Sequence, residues 1–192
     1  NFVYFPTDCP HREKNGWTGD AGMSAEHMIQ NLAVERSWKQ WLKAICASQR
    51  EDGAIPGIIP TAGWGYAWGN GPVWDQVLVE LPYQAYIYRG NKDLFELCST
   101  AVMRYLNYIS KRRSPDGSIC IGLGDWCHAM RPGGSNHVCP TEVSDTITCV
   151  NICRKAKFLF DVCGMKVQSV FADTLGREFL AAVRERMIDY DT

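Results

Sequence analysis

The feature that most constrains this chain is a set of five segments in which apolar residues recur every three or four positions. These segments cover residues 21–50, 74–89, 92–112, 143–163 and 167–187. In the first segment, for example, the apolar positions form one stripe and the charged positions fall largely on the other side. No stretch of comparable length alternates as a strand would, although the opening residues could form a short one. The chain is therefore predicted to be mainly α-helical.

The connections between these segments alternate between short and long. Residues 90–91 (Gly-Asn) form a minimal turn, whereas 49–73 and 114–142 are long and rich in glycine, proline and tryptophan. Short turns place consecutive helices antiparallel, so we expect helical hairpins joined by long loops on one side. Residues 52–55 (Asp-Gly-Ala-Ile) and 116–119 (Asp-Gly-Ser-Ile) predict the same turn after every second helix.

The composition of the chain argues against several classes of function. With 192 residues, 46% of them hydrophobic and 21% charged, one globular domain over residues 1–192 is expected. A net charge of −1 provides no broad cationic surface for nucleic acid or an anionic membrane, and no signal or membrane-spanning segment is visible.

Nine cysteines without paired spacing, and four histidines (11, 27, 128, 137) without ligand spacing, predict no metal site. Scattered cysteines in helices are typical of buried thiols in a reducing, cytoplasmic location.

Residues 8–20 (DCPHREKNGWTGD) form the densest polar region, directly ahead of the first helical segment. Its three carboxylates are Asp8, Glu13 and Asp20, and its proline and two glycines indicate a shaped loop. Neighbouring carboxylates, and partial burial under Trp17, raise the proton affinity of a carboxyl group, as a general acid requires. The alternative is a solvated charged loop in which Asp20 caps the helix that follows.

Most of the tryptophan lies in the predicted loops, at positions 64, 68, 74 and 126. Flat rings held on rigid loops suit the apolar faces of sugars, whereas the alternative is that they only pack the loops onto the helices. Taken together, the four rings favour a ligand groove.

The run from Asp8 through Ala21 resembles the signature of bacterial α-L-rhamnosidases of glycoside hydrolase family 78. There the pattern Asp-Cys-Pro-x-Arg-Glu, a few residues, then Gly-Trp-Thr-Gly-Asp-Ala opens the catalytic (α/α)6 barrel, and every fixed position is met here. The pairs 74–75 (Trp-Asp) and 125–126 (Asp-Trp) match two further elements of that family. The resemblance covers essentially the whole chain. It implies a partial (α/α)6 toroid of the six-hairpin glycosidase type.

The resemblance also implies that the substrate is a rhamnose-containing glycoside and that the reaction needs no cofactor. It further implies which residues bind and cleave this substrate. Glu13 falls on the general acid, and Asp8 and Asp20 fall on aspartates that bind rhamnose hydroxyls beside it. The implied substrate contacts are Arg12, Trp17, Trp74, Asp75, Asp125 and Trp126.

One departure from the family concerns the second carboxylate. The family resembles inverting glycosidases, in which a base on the opposite side of the sugar activates water, and that glutamate lies in the last third of the barrel. Five helices are also about half of a twelve-helix toroid. We therefore expect an N-terminal part of a longer enzyme, with low turnover alone and inner helix faces that invite self-association. The alternatives are a non-catalytic carbohydrate-binding module and another six-hairpin glycosidase, such as a glucoamylase-like enzyme.

Overall fold

The computed structural model describes residues 2, 4–9, 11–61, 63–66, 68–126 and 138–189. Within these ranges the chain forms seven helices and no strand, and the only β pairing is two isolated bridges, Phe2 with Pro6 and Trp17 with Ile58. The helices are α1 (Thr18–Asn31), α2 (Glu35–Ala47), α3 (Pro72–Asp75), α4 (Val77–Arg89), α5 (Asp93–Lys111), α6 (Thr141–Val162) and α7 (Lys166–Arg186). The mainly α-helical prediction is confirmed, whereas the described part of residues 1–5 forms no strand.

The prediction of one helix over 21–50 is wrong, because the chain turns between α1 and α2. Leu32 is extended, with φ −135° and ψ 154°, and ends α1. The two helices have different partners, since α1 packs mainly against α4 and α2 mainly against α5. The turn allows Val34 and Trp38 to be fully buried as α2 begins. The predicted helix over 74–89 is likewise interrupted, at Gln76 between α3 and α4.

Two hairpins follow from short glycine turns. Gly90, with φ 63°, ends α4 and leads directly into α5, and Gly164, with φ 70°, lies between α6 and α7. Glycine adopts this left-handed conformation without the steric penalty of a Cβ atom. The expected pairing of helices across short turns is therefore confirmed.

The recurring Asp-Gly turn is also present in the structure. Asp52 accepts a hydrogen bond from the amide of Ala54 at 3.1 Å, and Asp116 accepts the equivalent bond from Ser118 at 3.0 Å. The glycine that follows each aspartate has a positive φ, 103° at Gly53 and 85° in the second turn. Both turns therefore close in the same way, as the sequence repeat predicts.

The helices enclose one contiguous apolar core, whose largest fully buried side chains include Trp38, Tyr105, Phe95, Phe160 and Phe179. Every cysteine in the described residues is free. Three of these thiols, at 98, 149 and 153, are buried, and their burial raises the pKa of each, so they remain uncharged members of the core.

None of the helices in the described ranges combines the length and apolarity that crossing a bilayer requires.

Candidate active site

The acidic loop is closed by hydrogen bonds between its two ends. The amide of Asp8 donates to the carbonyl of Asn15 at 3.0 Å, and the amide of Asn15 donates to Oδ1 of Asp8 at 2.9 Å. Between them Lys14 has a φ of 56°, in the left-handed region. The closed loop brings residues that are five positions apart, Asp8 and Glu13, to the same opening.

The two glycines of the loop allow close packing against neighbouring segments. A Cβ atom at Gly16 would lie 2.2 Å from the carbonyl oxygen of Ile59, and one at Gly19 would lie 2.8 Å from the ring of Trp74. Gly16 and Ile59 are also joined by a backbone hydrogen bond of 2.9 Å. Larger residues would push the loop away from Trp74, so the glycines set the position of the carboxylates relative to this ring.

One cavity of about 530 Å³ gathers most of the predicted site. Seven of the nine predicted residues line it, together with Trp68, namely Asp8, Arg12, Glu13, Trp17, Asp20, Trp74 and Trp126. The prediction of a ligand groove rested on four loop tryptophans. Three of them line this cavity, and the fourth, Trp64, contacts Trp17 and Trp68.

Glu13 accepts hydrogen bonds on both carboxylate oxygens. The indole N–H of Trp17 donates to Oε2 at 2.5 Å, and Nη2 of Arg12 donates to Oε1 at 3.1 Å. The side chain of Arg12 is 76% exposed, so this ion pair is weakly held, whereas Trp17 is buried and fixed. Trp17 therefore sets the direction of the Glu13 carboxylate.

The other two carboxylates differ in their protonation behaviour. Partial burial of the Asp8 carboxylate works against its charge, but hydrogen bonds from the backbone amides of Cys9 and Asn15 outweigh this and lower its pKa. The pKa of Asp20 is raised, mainly because burial desolvates its carboxyl group. The negative charges of Asp8 and Glu13 raise it further. The site thus pairs a firmly ionised aspartate with one that gains a proton more readily.

Asp20 does not cap the first helix. The N-cap of α1 is Trp17, which makes no side-chain cap hydrogen bond, and Asp20 lies in the first turn. A negative charge there interacts favourably with the helix dipole, so the residue supports the helix while facing the cavity.

The structure does not bring Asp75 to this cavity. Its side chain is 1% exposed, and its Oδ2 accepts hydrogen bonds from the hydroxyl of Tyr105 at 2.9 Å and the amide of Gly71 at 3.2 Å. Burial raises its pKa well above the ordinary value. These partners draw the carboxyl group inward, so Asp75 supports the segment that carries Trp74 rather than lining the pocket.

Asp125 also lies outside the main cavity. It lines an adjoining cavity of about 470 Å³, which shares Trp74 and Trp126 with the first, and its Oδ2 accepts the amide of Cys139 at 3.2 Å. This contact ties the start of α6 to the loop that carries Trp126.

Sequence reasoning did not identify the buried residue Asp145, which holds the other side of that loop. Its Oδ2 accepts the amides of Ile121 and Gly122, both at 2.9 Å. It also did not identify Met23 or Leu123 as cavity residues. Met23 lies three positions after Asp20 on α1, so helical spacing could have predicted that both side chains face the cavity. No sequence pattern predicts the contacts of Asp145.

Asp8, Cys9 and Glu13 form the one group of possible metal ligands in the described part of the chain, with one ligand atom from each within 4.8 Å of the others. The sequence spacing alone did not predict this grouping. A hydrogen bond from the Cys9 thiol to Asp8 raises the pKa of the thiol, which disfavours the thiolate that a metal would need. Both carboxylates already accept hydrogen bonds. His128 and His137, which were assigned no role, lie outside the described residues.

Comparison with known proteins places these features in one family. The model of the bacterial alpha-L-rhamnosidase 6 hairpin glycosidase domain matches residues 1–159. A curated alpha-L-rhamnosidase from Alteromonas sp. is 29% identical over 127 residues, which cover 66% of this chain and 14% of that protein. The chain thus spans about one seventh of the length of that relative.

Solved structures show the same fold. An alpha-L-rhamnosidase from Dictyoglumus thermophilum superimposes with a TM-score of 0.85 and 23% identity, over 98% of this chain and 21% of that one. The Streptomyces avermitilis alpha-L-rhamnosidase complexed with L-rhamnose gives a TM-score of 0.82 and 25% identity, over 96% of this chain and 17% of that one. The predicted partial six-hairpin toroid is therefore confirmed.

Proposed function

The chain belongs to the bacterial α-L-rhamnosidase six-hairpin glycosidase family, and from this premise we propose that it carries the acid-catalyst half of a site that removes terminal α-L-rhamnose with inversion. The observation that carries the proposal is the cavity in which Glu13, two aspartates and three tryptophan rings of the matched family signature converge. The activity belongs to the whole protein that carries this chain.

In the proposed reaction, Glu13 gives its proton to the glycosidic oxygen as the bond from that oxygen to the anomeric carbon breaks. A water molecule attacks the anomeric carbon from the opposite face and loses its proton to a second carboxylate. In the described lining of the cavity, every carboxylate comes from residues 8–20. We therefore propose that the base lies outside the described lining of this cavity.

The contacts of Glu13 suggest how it takes up the proton that it later donates. Oε2 is held by the buried Trp17, so Oε1 is the oxygen available for protonation once Arg12 moves away. The ion pair between Arg12 and Glu13 lies at the surface and is weak, and a rhamnose hydroxyl in the cavity offers the guanidinium group another acceptor. Substrate binding would thus free Oε1 at the moment it is needed.

Asp8 and Asp20 serve different parts of the sugar in this proposal. Asp8 stays ionised and acts as an acceptor for a hydroxyl, since two backbone amides hold its charge. Asp20, whose pKa is raised, either accepts or donates a hydrogen bond. Trp17, Trp74 and Trp126 close the apolar side of the pocket.

The test is Glu13→Gln in the protein that carries this chain. The variant should lose about 10²- to 10⁴-fold in kcat/KM on methyl α-L-rhamnoside, whose leaving group needs a proton. It should retain much more activity on an activated aryl rhamnoside, whose leaving group departs without one. Glu51→Gln changes an exposed glutamate outside the cavity and serves as the matched control.

Equal losses on both substrates would contradict the acid role of Glu13. Binding of L-rhamnose without hydrolysis of any rhamnoside by the wild-type protein would instead support the carbohydrate-binding module.

A further inference from the structure

The loop before α3 and the loop after α5 touch each other at a pair of glycines. A Cβ atom at Gly71 would lie 2.2 Å from the Cα atom of Gly122, so the two backbones are in direct contact. Beside this contact the amide of Leu123 donates to the carbonyl of Asn70 at 3.3 Å. A side chain at either glycine would push the two loops apart.

Each loop brings aromatic rings to the cavity close to this glycine contact. Trp68 and Trp74 lie three positions on either side of Gly71, and Trp126 follows Gly122 by four positions. All three rings line the cavity, and Trp68 meets Trp126 edge to face with centroids 5.7 Å apart. Because the rings are so near to the contact in sequence, the spacing between the loops sets the spacing between the rings.

A buried carboxyl group holds each loop at the contact. Oδ2 of Asp75 accepts the amide of Gly71 at 3.2 Å. Oδ2 of Asp145 accepts the amides of Ile121 and Gly122, both at 2.9 Å. Asp75 is 1% exposed and Asp145 is fully buried. Water cannot easily replace either carboxyl group as the acceptor, so the loops depend on these two side chains.

The two carboxyl groups belong to one buried cluster. A Cβ atom at Gly122 would lie 2.9 Å from the Cα atom of Gly71 and 3.1 Å from Oδ1 of Asp145. Helix α3, which carries Asp75, packs against α6, which carries Asp145. Burial raises the pKa of Asp75 and the negative charge of Asp145 raises it further, so the two groups are close enough to interact.

From these contacts we propose that Asp75 and Asp145 act together as positioning residues for substrate binding. They hold Gly71 against Gly122 and thereby fix the distance between the rings that the two loops bring to the cavity. Neither carboxyl group lines the cavity itself. The inference rests on the proposed function and adds two residues that act on the substrate only through the rings.

The experiment uses the protein that carries this chain, with Asp75 and Asp145 each changed to alanine and to asparagine. Each alanine variant should raise KM for an aryl α-L-rhamnoside by about two- to tenfold, as loss of one aromatic contact predicts, with kcat changed by less than about twofold. Asparagine keeps an oxygen that accepts the same amides, so Asp75→Asn and Asp145→Asn should return KM to within about twofold of wild type.

A third variant tests the glycine contact without removing a carboxyl group. Gly122→Ala inserts a methyl group between the loops and should raise KM by a similar factor. It also keeps the proposal testable if an alanine variant of either aspartate does not fold. Phe160→Leu is the matched control for lost stability, because it weakens the packing of a fully buried ring against Phe95 and should leave KM unchanged.

The double variant Asp75→Ala/Asp145→Ala tests whether the two residues act as one unit. If both hold the same contact, removing the second carboxyl group after the first should raise KM by less than about twofold more. Independent residues would multiply their effects on KM, and that result would overturn the joint role.

Calorimetry with L-rhamnose is run in parallel, so that the two proposals can fail separately. Binding that weakens in the alanine variants and recovers in the asparagine variants, without hydrolysis by the wild type, would retain the positioning role and overturn the proposed activity. Hydrolysis with KM unchanged in both alanine variants and in Gly122→Ala would overturn the positioning role and retain the activity. A wild-type protein that neither binds L-rhamnose nor hydrolyses the rhamnoside would overturn both.

Discussion

Asp145 is a single residue that makes the stability of this helical unit depend on pH. Its side chain is fully buried, and burial raises its pKa to about 6 in spite of the amides of Ile121 and Gly122. The folded chain therefore holds a proton on this carboxyl group at pH values where the unfolded chain has released it. Because the unfolded state binds fewer protons in this window, stability falls as pH rises from about 4 to 6 and then stays lower.

We predict that Asp145→Asn removes this loss, because the amide oxygen can still accept both backbone N–H groups without a buried charge. A shift of about two pKa units corresponds to about 3 kcal/mol, so the variant should be more stable than wild type at pH 7 by up to about that amount. Urea unfolding at pH 4.5 and pH 7 measures the difference.

Asp161→Asn is the matched control for this measurement. The pKa of Asp161 is lowered by Lys157 and Ser169, so its contribution is lost only as pH falls below about 4. The prediction for Asp145 is contradicted if its asparagine variant shows the same fall in stability between pH 4.5 and 7 as wild type.

Asp75 shows where residue-level reasoning from sequence stops. The acidic loop could be predicted because its residues lie within a thirteen-residue run that folds on itself. The direction of the Asp75 side chain depends on Tyr105, thirty positions later, and no local pattern encodes that contact. The burial of Asp145 could not be predicted either, because its carboxylate is held by the amide of Ile121, which lies far away in the sequence.

At the scale of elements, the two Asp-Gly turns join α2 and α5 to the loops that follow them. Both glycines have left-handed backbone conformations, but their surroundings differ. A Cβ atom at Gly53 would lie 2.4 Å from the carbonyl oxygen of Arg104, whereas one at Gly117 would lie 3.2 Å from the Cβ atom of Ala182. The first turn is thus wedged against the backbone of α5, whereas the second packs closely against a side chain of α7 with a smaller overlap.

We predict that Gly117→Ala destabilises the chain by about 1–2 kcal/mol, the cost of the left-handed conformation for a residue with a Cβ atom. Gly53→Ala should cost about 3 kcal/mol or more, because steric overlap with a backbone oxygen adds to that term. Urea unfolding of both variants provides the comparison, and equal losses would show that packing against Arg104 contributes nothing.

The hairpins could be predicted because a glycine at a helix end is a local signal. The break at Leu32 could not, since its cause is the different packing partners of α1 and α2, which become apparent only in the assembled core. Periodicity continues through residues 21–50 because both helices present their apolar faces to the same core.

At the scale of the whole molecule, the cavity is one-sided. The three carboxylates in its described lining come from a single loop and the first turn of α1, and the rest of the described lining is largely aromatic and aliphatic. Inversion needs carboxylates on opposite faces of the sugar, about 6.5–9.5 Å apart. In the proposed mechanism, the acidic loop would protonate the leaving group, and the base that activates water would lie outside the described lining of the cavity.

This division predicts a specific defect in the 192-residue chain on its own. With an activated aryl α-L-rhamnoside it should turn over about 10²- to 10⁴-fold more slowly than the whole protein, the contribution expected of a general base. Azide needs no base to act as a nucleophile, so adding it should raise the rate and yield β-L-rhamnosyl azide, while leaving the whole protein nearly unchanged. Product configuration by NMR tests the face of attack. Full activity of the 192-residue chain without azide would mean that the base lies within these residues.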